Sequence, residues 1–266
     1  MWQYAFFQHA LIGALLICVL CGMVGTYIVT RRLLFVSGGI THASLGGVGL
    51  GIYLGIPPVL TAAVFAVGSA LGIQWLSNRP GERQDSAISL IWTLGMSIGI
   101  MLAYITPGYG SDLTSFLFGN ILMITQVDIF LLMGVTLLVA ACFIIFFKPI
   151  LWIAFDASYM KAQYGRCAAF VETLMMILIA LAVVASVRLI GIVLVMSMLT
   201  IPQMTANLFT KKFSSMMWLS MPIGLLSCVG GFAISFYYEV PCGASIVAFA
   251  ILLYGIVRSI KHFIRK

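Results

Sequence analysis

Apolar runs, each closed by one or two basic side chains, repeat along the whole chain. A helix that crosses the hydrocarbon core of a bilayer needs roughly 20 consecutive apolar residues. Nine stretches meet that requirement: 6–29, 38–55, 57–77, 86–106, 125–147, 168–187, 189–209, 215–237 and 243–260. No barrel-like alternation accompanies them, so each run must satisfy its backbone polar groups internally, as a helix. The pattern predicts an all-α polytopic membrane protein with about nine transmembrane helices in a single domain, 1–266. Eight spans are the alternative, because the second run carries Gly38, Gly39, Gly46, Gly47, Gly49, Gly51 and Gly55 and reads equally as a broken helix.

The positions of the charges orient these spans. Of the 14 Lys and Arg residues, all except Arg188 can be placed on one side of the membrane. Arg31 and Arg32 come first, then Arg79 and Arg83, then Lys148, Lys161 and Arg166, then Lys211 and Lys212. Arg258, Lys261, Arg265 and Lys266 close the chain. Consecutive clusters are separated by room for two crossings. Basic loops stay in the cytoplasm during insertion, so the N-terminus is expected outside and the C-terminus inside. The region around Arg188 reads as a short outer turn.

Composition agrees and excludes several classes. The chain is 62% hydrophobic and only 8% charged, with a mean hydropathy of +1.15, whereas soluble domains are about 25% charged. The net charge of +7 flanks the spans and faces anionic lipid, so no nucleic-acid partner is implied. The first run is too long for a cleaved signal core and reads as a retained span. Cys18 and Cys21 share CxxC spacing but lie inside that span, where they read as small packing residues.

Chemistry has few places to reside. No Walker A pattern, HExxH motif or nucleophile elbow occurs, so the chain is not expected to be an enzyme or to hydrolyse nucleotide itself. Polar groups inside spans are expensive and mark pathways. His42 is the clearest, in the run Ser37-Gly38-Gly39-Ile40-Thr41-His42, with Ser37 and Thr41 placed to orient it or line a pore. A neutral imidazole suits zinc, manganese or iron. It could equally be satisfied by a neighbouring helix. In the seventh run Pro202 frees the carbonyl of Met198, and Gln203 and Thr205 add polar groups beside it, as in a helix broken at the wall of a cavity. Residues 148–167 form the longest cytoplasmic loop, with the mixed aromatic and charged character of a short surface or docking helix. Residues 107–124 read as an outer re-entrant or interfacial segment. The outer acids Asp112, Asp128 and Glu239 read as solvated or as contacts for a delivery protein.

Four collinear blocks resemble the membrane permease subunits of ABC importers for zinc, manganese or iron. The first runs from Arg31-Arg32 through His42-Ala43-Ser44-Leu45-Gly46-Gly47. The second is Asp112-Leu113 with Leu117 to Leu122, and the third is Phe155-Asp156 with Gly165. The fourth runs from Gly191 to Val195, through Ile201-Pro202 and Thr205-Ala206, to Ser235–Tyr238 and Pro241-Cys242-Gly243.

The resemblance implies a bacterial inner-membrane permease that works as a homodimer around a central pathway. It implies two cytoplasmic ABC ATPase subunits and an extracytoplasmic metal-binding protein as partners, and no permanently bound cofactor. The transported ion, Zn2+ or Mn2+, would pass His42, Thr41, Ser37, Gln203 and Thr205, with helix breaks at Pro202, Gly38 and Gly39. Phe155, Asp156 and Gly165 would couple the permease to the ATPase. The family commonly places an Asp four residues before the histidine, and here that position is Gly38. Loss of a hard oxygen ligand tilts the expectation towards zinc. A permease for metal chelates or a corrinoid, and an ion-coupled secondary carrier, are the alternatives.

Overall fold

The computed structural model describes residues 5–79, 81–106, 119 and 124–264, and every regular element among them is a helix. In chain order these are α1 (Ala5–Arg31), α2 (Leu34–Leu54), α3 (Pro58–Ser77), α4 (Gln84–Ile105) and α5 (Gln126–Ile145). Then come α6 (Phe147–Phe155), α7 (Ala157–Met198), α8 (Ile201–Phe209), α9 (Phe213–Tyr238) and α10 (Cys242–Ile264). The outer segment expected at 107–124 lies outside the described residues apart from Gly119 and Ile124.

Helix α7 is the element that decides the count. Its 42 residues would make a rod of about 63 Å, twice the roughly 30 Å hydrocarbon core. The backbone leaves helical geometry at Gly165 (φ 34°, ψ −98°) and again at Gly191 (φ 75°, ψ 166°). The second break is a reversal. Arg31 of α1 meets Glu172, and the Cys21 carbonyl of α1 meets Gln203. Those two α1 positions are about 15 Å apart along the axis, whereas Glu172 and Gln203 would lie about 46 Å apart on one straight helix. The chain therefore doubles back at Gly191, and the stretch 157–209 crosses twice. With the other seven long apolar helices this makes nine crossings among the described residues.

The turn was expected at Arg188 and lies three residues later, because only glycine readily adopts the Gly191 conformation. Arg188 remains helical. Its Nη1 lies 3.1 Å from Asp128 Oδ1, which neutralises the cation that departs from the charge pattern. Asp128 is 7% exposed, so it is neither a solvated acid nor a free docking contact. Its other oxygen accepts from the Thr125 backbone N–H at 3.1 Å and the Thr125 hydroxyl at 2.7 Å, in the capping box that starts α5.

The glycines of the second span serve close packing and not a break. The helix break at Gly38 and Gly39 is absent: α2 runs unbroken from Leu34 to Leu54 and is buried over most of its length. Its glycines allow backbone-to-backbone contact with α3 on one side and α4 on the other. A Cβ on Gly47 would stand 2.6 Å from Ala62 Cα, and one on Gly99 would stand 2.5 Å from the Leu45 carbonyl oxygen. In a bilayer, where neighbouring helices gain nothing from excluding water, such close packing supplies the attraction. At the other extreme α10 exposes most of its surface, as a lipid-facing helix does.

Candidate functional site

The candidate pathway residues sit on α2 and on the return arm of α7 and α8. Ser37 and Thr41 are fully buried. Both hydroxyls are spent on their own helix, Ser37 Oγ donating to the Leu34 carbonyl at 2.8 Å and Thr41 Oγ1 to the Ser37 carbonyl at 2.6 Å. In their present rotamers they shape the helix rather than offer free donors.

His42 is different. Its ring stacks on Trp92 of α4 with centroids 4.4 Å apart and planes 6° apart. Its Nδ1 is buried and has no hydrogen-bond partner. Trp92 is held in turn, its Nε1–H lying 2.8 Å from Met96 Sδ. Beside this stack a groove of about 250 Å3 opens, lined by Phe35, Asp85, Ile88, Ser89 and Trp92. The arrangement is a part-buried imidazole clamped in orientation by an indole, with a ring nitrogen that can accept a proton or a metal.

The position one turn before His42 is instructive. A Cβ at Gly38 would stand 2.9 Å from Met196 Cε, and Thr41 Oγ1 lies 3.9 Å from Met196 Sδ. The space beside Gly38 thus holds the thioether of Met196. Sequence reasoning missed Met196 and Trp92, because an apolar residue in an apolar span carries no signal until its neighbour is known.

Pro202 opens α8, after the helical path breaks at Thr200 (φ −127°, ψ −55°). Proline has no N–H to give the Met198 carbonyl. Gln203 supplies the missing donor, its Nε2 reaching the Met198 carbonyl at 3.2 Å and the Cys21 carbonyl of α1 at 2.7 Å. Thr205 Oγ1 donates to the Ile201 carbonyl at 2.8 Å. Gln203 and Thr205 are 1% exposed. Gln203 mends the helix break, while the Thr205 hydroxyl is spent within α8. Among the described residues no cluster of three or more His, Cys, Asp or Glu side chains forms; His42 packs on Trp92 of α4, whereas the Gln203 amide reaches α1.

The loop at 148–167 forms a second candidate region. Asp156 caps the start of α7, its Oδ1 accepting from the Tyr159 N–H at 2.8 Å. Gly165 ends the short helix 157–164 in a conformation closed to most residues. Phe155 and Tyr159 are more than 60% exposed. Trp152 and Tyr164 stack with centroids 6.0 Å apart, and the aromatic groove between these groups encloses about 430 Å3. The short helix is tied to the bundle through Glu172. Its carboxylate holds Lys161 Nζ at 2.6 Å and Arg31 Nη2 of α1 at 2.9 Å. Arg31 Nη1 also donates to the Ile153 carbonyl of α6 at 3.3 Å. The remaining polar outlier, the buried pair of thiols Cys18 and Cys228, has its sulfurs 4.0 Å apart.

Comparison with known proteins covers nearly the whole chain. Residues 3–261 match the model of the ABC 3 transport family. An uncharacterized membrane protein of Synechocystis is 35% identical over 95% of this chain and 89% of its own length. The manganese transport system membrane protein MntC of Halalkalibacterium halodurans is 34% identical over 96% of this chain and 87% of its own. Among solved structures, PsaBC from Streptococcus pneumoniae in complex with a Fab superposes with a TM-score of 0.85. It shares 32% identity over 96% of this chain and 92% of that one.

Proposed function

The chain belongs to the ABC 3 transport family, and on that premise we propose that it is the membrane permease subunit of an ATP-driven importer of a divalent transition metal. The observation that carries this reading is His42: an imidazole inside a span, held by Trp92, with a buried and unpartnered ring nitrogen. An intramembrane ionisable group is by default a candidate for a functional site.

In this reading two copies of the chain enclose the pathway and each presents one His42. An extracytoplasmic metal-binding protein delivers the ion from outside. The ion pauses at the imidazole, weakly enough to leave again. Two cytoplasmic ATPase subunits supply the energy, since the chain has no Walker A motif of its own. They dock on the exposed aromatic groove around Phe155, Asp156 and Tyr159. The Gly165 break lets the docked helix move as a lever, and the Glu172 ion pairs carry that motion to α1.

Two ions compete for the role of cargo. Manganese is favoured by the relatives, of which the Halalkalibacterium protein is named for manganese transport. Zinc is favoured by Gly38, which offers no hard oxygen where the family commonly has an acid, and by the soft thioether of Met196 in that space. Competitive uptake of labelled manganese and zinc into vesicles carrying the full complex ranks them. The His42→Ala variant tests the site. ATP-dependent uptake is expected to collapse while the protein remains abundant in the membrane; normal uptake at normal abundance removes His42 from the pathway. Uptake by the permease without an ATPase overturns the class itself.

A further inference from the structure

We infer that the cytoplasmic end of α8 and α10 forms a binding site for one anionic phospholipid. A cleft of about 380 Å3 lies there, lined by Asn207 and Leu208 of α8, by Lys211 just beyond it, and by Arg258, Lys261 and His262 of α10. Three fixed cations and an imidazole converge on it. No lining residue is acidic, and none of these cations forms a salt bridge with a carboxylate of the described residues.

Among the described residues, the partners that hold them are neutral. Lys211 Nζ donates to Asn207 Oδ1 at 3.1 Å, and Arg258 Nη1 donates to the Tyr254 hydroxyl at 2.8 Å. These bonds hold the two cations in place without discharging them. An assembled cluster of like charge needs a counter-charge, and the geometry is suited to a phosphodiester.

What lies deeper in the membrane selects a lipid as its source. On one wall Met204 and Leu208 stand at i and i+4 of α8, and Lys211, just past its end, is tied back to Asn207. On the other wall Ile251, Gly255, Arg258 and His262 follow the helical register of α10, which places them on one face. Met204 and Ile251 are 42% and 53% exposed, and a Cβ on Gly255 would meet nothing within 4 Å. Each wall therefore has cations at the membrane surface and an exposed apolar track one to two turns below. That is the profile of a headgroup above acyl chains. The cytoplasmic leaflet is the anionic one, and basic pockets between helices on that side hold acidic headgroups.

The inference needs only the membrane topology and stands whether or not the transport reading does. The test uses the full-length protein in nanodiscs of phosphatidylcholine containing phosphatidylglycerol as the probe. Native mass spectrometry of wild type is expected to retain one phosphatidylglycerol per chain, enriched several-fold over its bulk share. The exposed double variant Lys211→Gln/Lys261→Gln is expected to lose that enrichment, and Lys211→Arg/Lys261→Arg to keep it. Phosphatidylglycerol is expected to raise thermal stability, and soluble glycerophosphoglycerol or inorganic phosphate at equal concentration to leave it unchanged. Equal effects from the soluble anions would overturn the lipid assignment. So would unaltered enrichment in the Gln variant. Loss of ATPase co-purification or of self-association in that variant, with lipid retention intact, would assign the cleft to a protein partner instead.

Discussion

Adding one methyl group to α2 is the sharpest test of how this bundle is held together. In Gly49→Ala the new Cβ would lie against the Gly99 carbonyl oxygen, 2.7 Å from Gly99 Cα and 3.0 Å from its carbonyl carbon. Every one of these atoms is backbone, so no rotamer change relieves the clash. To restore ordinary contact at about 3.4 Å from the carbonyl oxygen, the nearest of these atoms, α4 must retreat by roughly 1 Å. Overpacking of this kind costs about 1–3 kcal/mol, and a rigid backbone neighbour puts Gly49 at the upper end, about 3 kcal/mol. Gly134→Ala on α5 is the matched control, because its Cβ would find nothing within 4 Å. A helix separated from the bundle stays helical in the bilayer. The usual helix-propensity gain of alanine therefore cancels in both variants, and the control should be near neutral.

The difference should appear as a fall in apparent melting temperature of about 6–12 °C for Gly49→Ala, at roughly 2–4 °C per kcal/mol for a chain of this size. Thermal challenge followed by gel filtration in detergent measures it. The same shift moves α2 against α4 and so disturbs the stack of His42 on Trp92, 4.4 Å between centroids. Metal uptake should drop below what the remaining folded protein accounts for. If Gly49→Ala melts within about 2 °C of Gly134→Ala, close α2–α4 packing is not what stabilises the bundle, and the reasoning fails.

Two further outcomes follow from polar groups that join elements. Glu172→Gln removes both ion pairs of a carboxylate only 14% exposed and should destabilise the protein by about 2–3 kcal/mol. Lys161, 44% exposed, should cost no more than about 1 kcal/mol as Lys161→Gln; the number of ions moved per ATP in the reconstituted complex should fall far more for Glu172→Gln, and equal ratios would refute a coupling role. Gln203→Leu leaves the Met198 carbonyl without a donor and should cost about 1–3 kcal/mol. Much of that loss should disappear in Gln203→Leu/Pro202→Ala, where residue 202 regains an N–H; melting curves that show strict additivity would rule out the helix-mending role.

How far the sequence carried the fold depended on the kind of signal. Span number was readable because insertion sorts Lys and Arg by side, a rule that acts residue by residue and needs no tertiary contact. Arg188 broke that rule, and its explanation lay 60 residues earlier in Asp128, a partner that no local pattern identifies. The reversal was misplaced for the same reason. A charge is a visible mark of a turn, whereas the glycine that makes this one, Gly191, stands among many glycines with other uses.

The glycines of α2 show why density alone misleads about function. A broken helix and a closely packed one call for the same residue, since both need the absence of a Cβ. What separates them is whether a neighbouring backbone occupies the vacated space. At Gly46, Gly47 and Gly49 it does, from both flanks, so α2 is wedged rather than unwound. That changes how His42 must be understood. The imidazole is carried on one of the most rigidly seated helices of the bundle and aligned by Trp92, so it has little freedom to follow an ion. If the ion is handed from outside to inside past His42, the movement must come from the elements around it. Those are the return arm bearing Met196, broken at Gly191 and Thr200, and the lever that begins at Gly165. Those three breaks all lie on the single stretch that links the aromatic groove to the space beside Gly38.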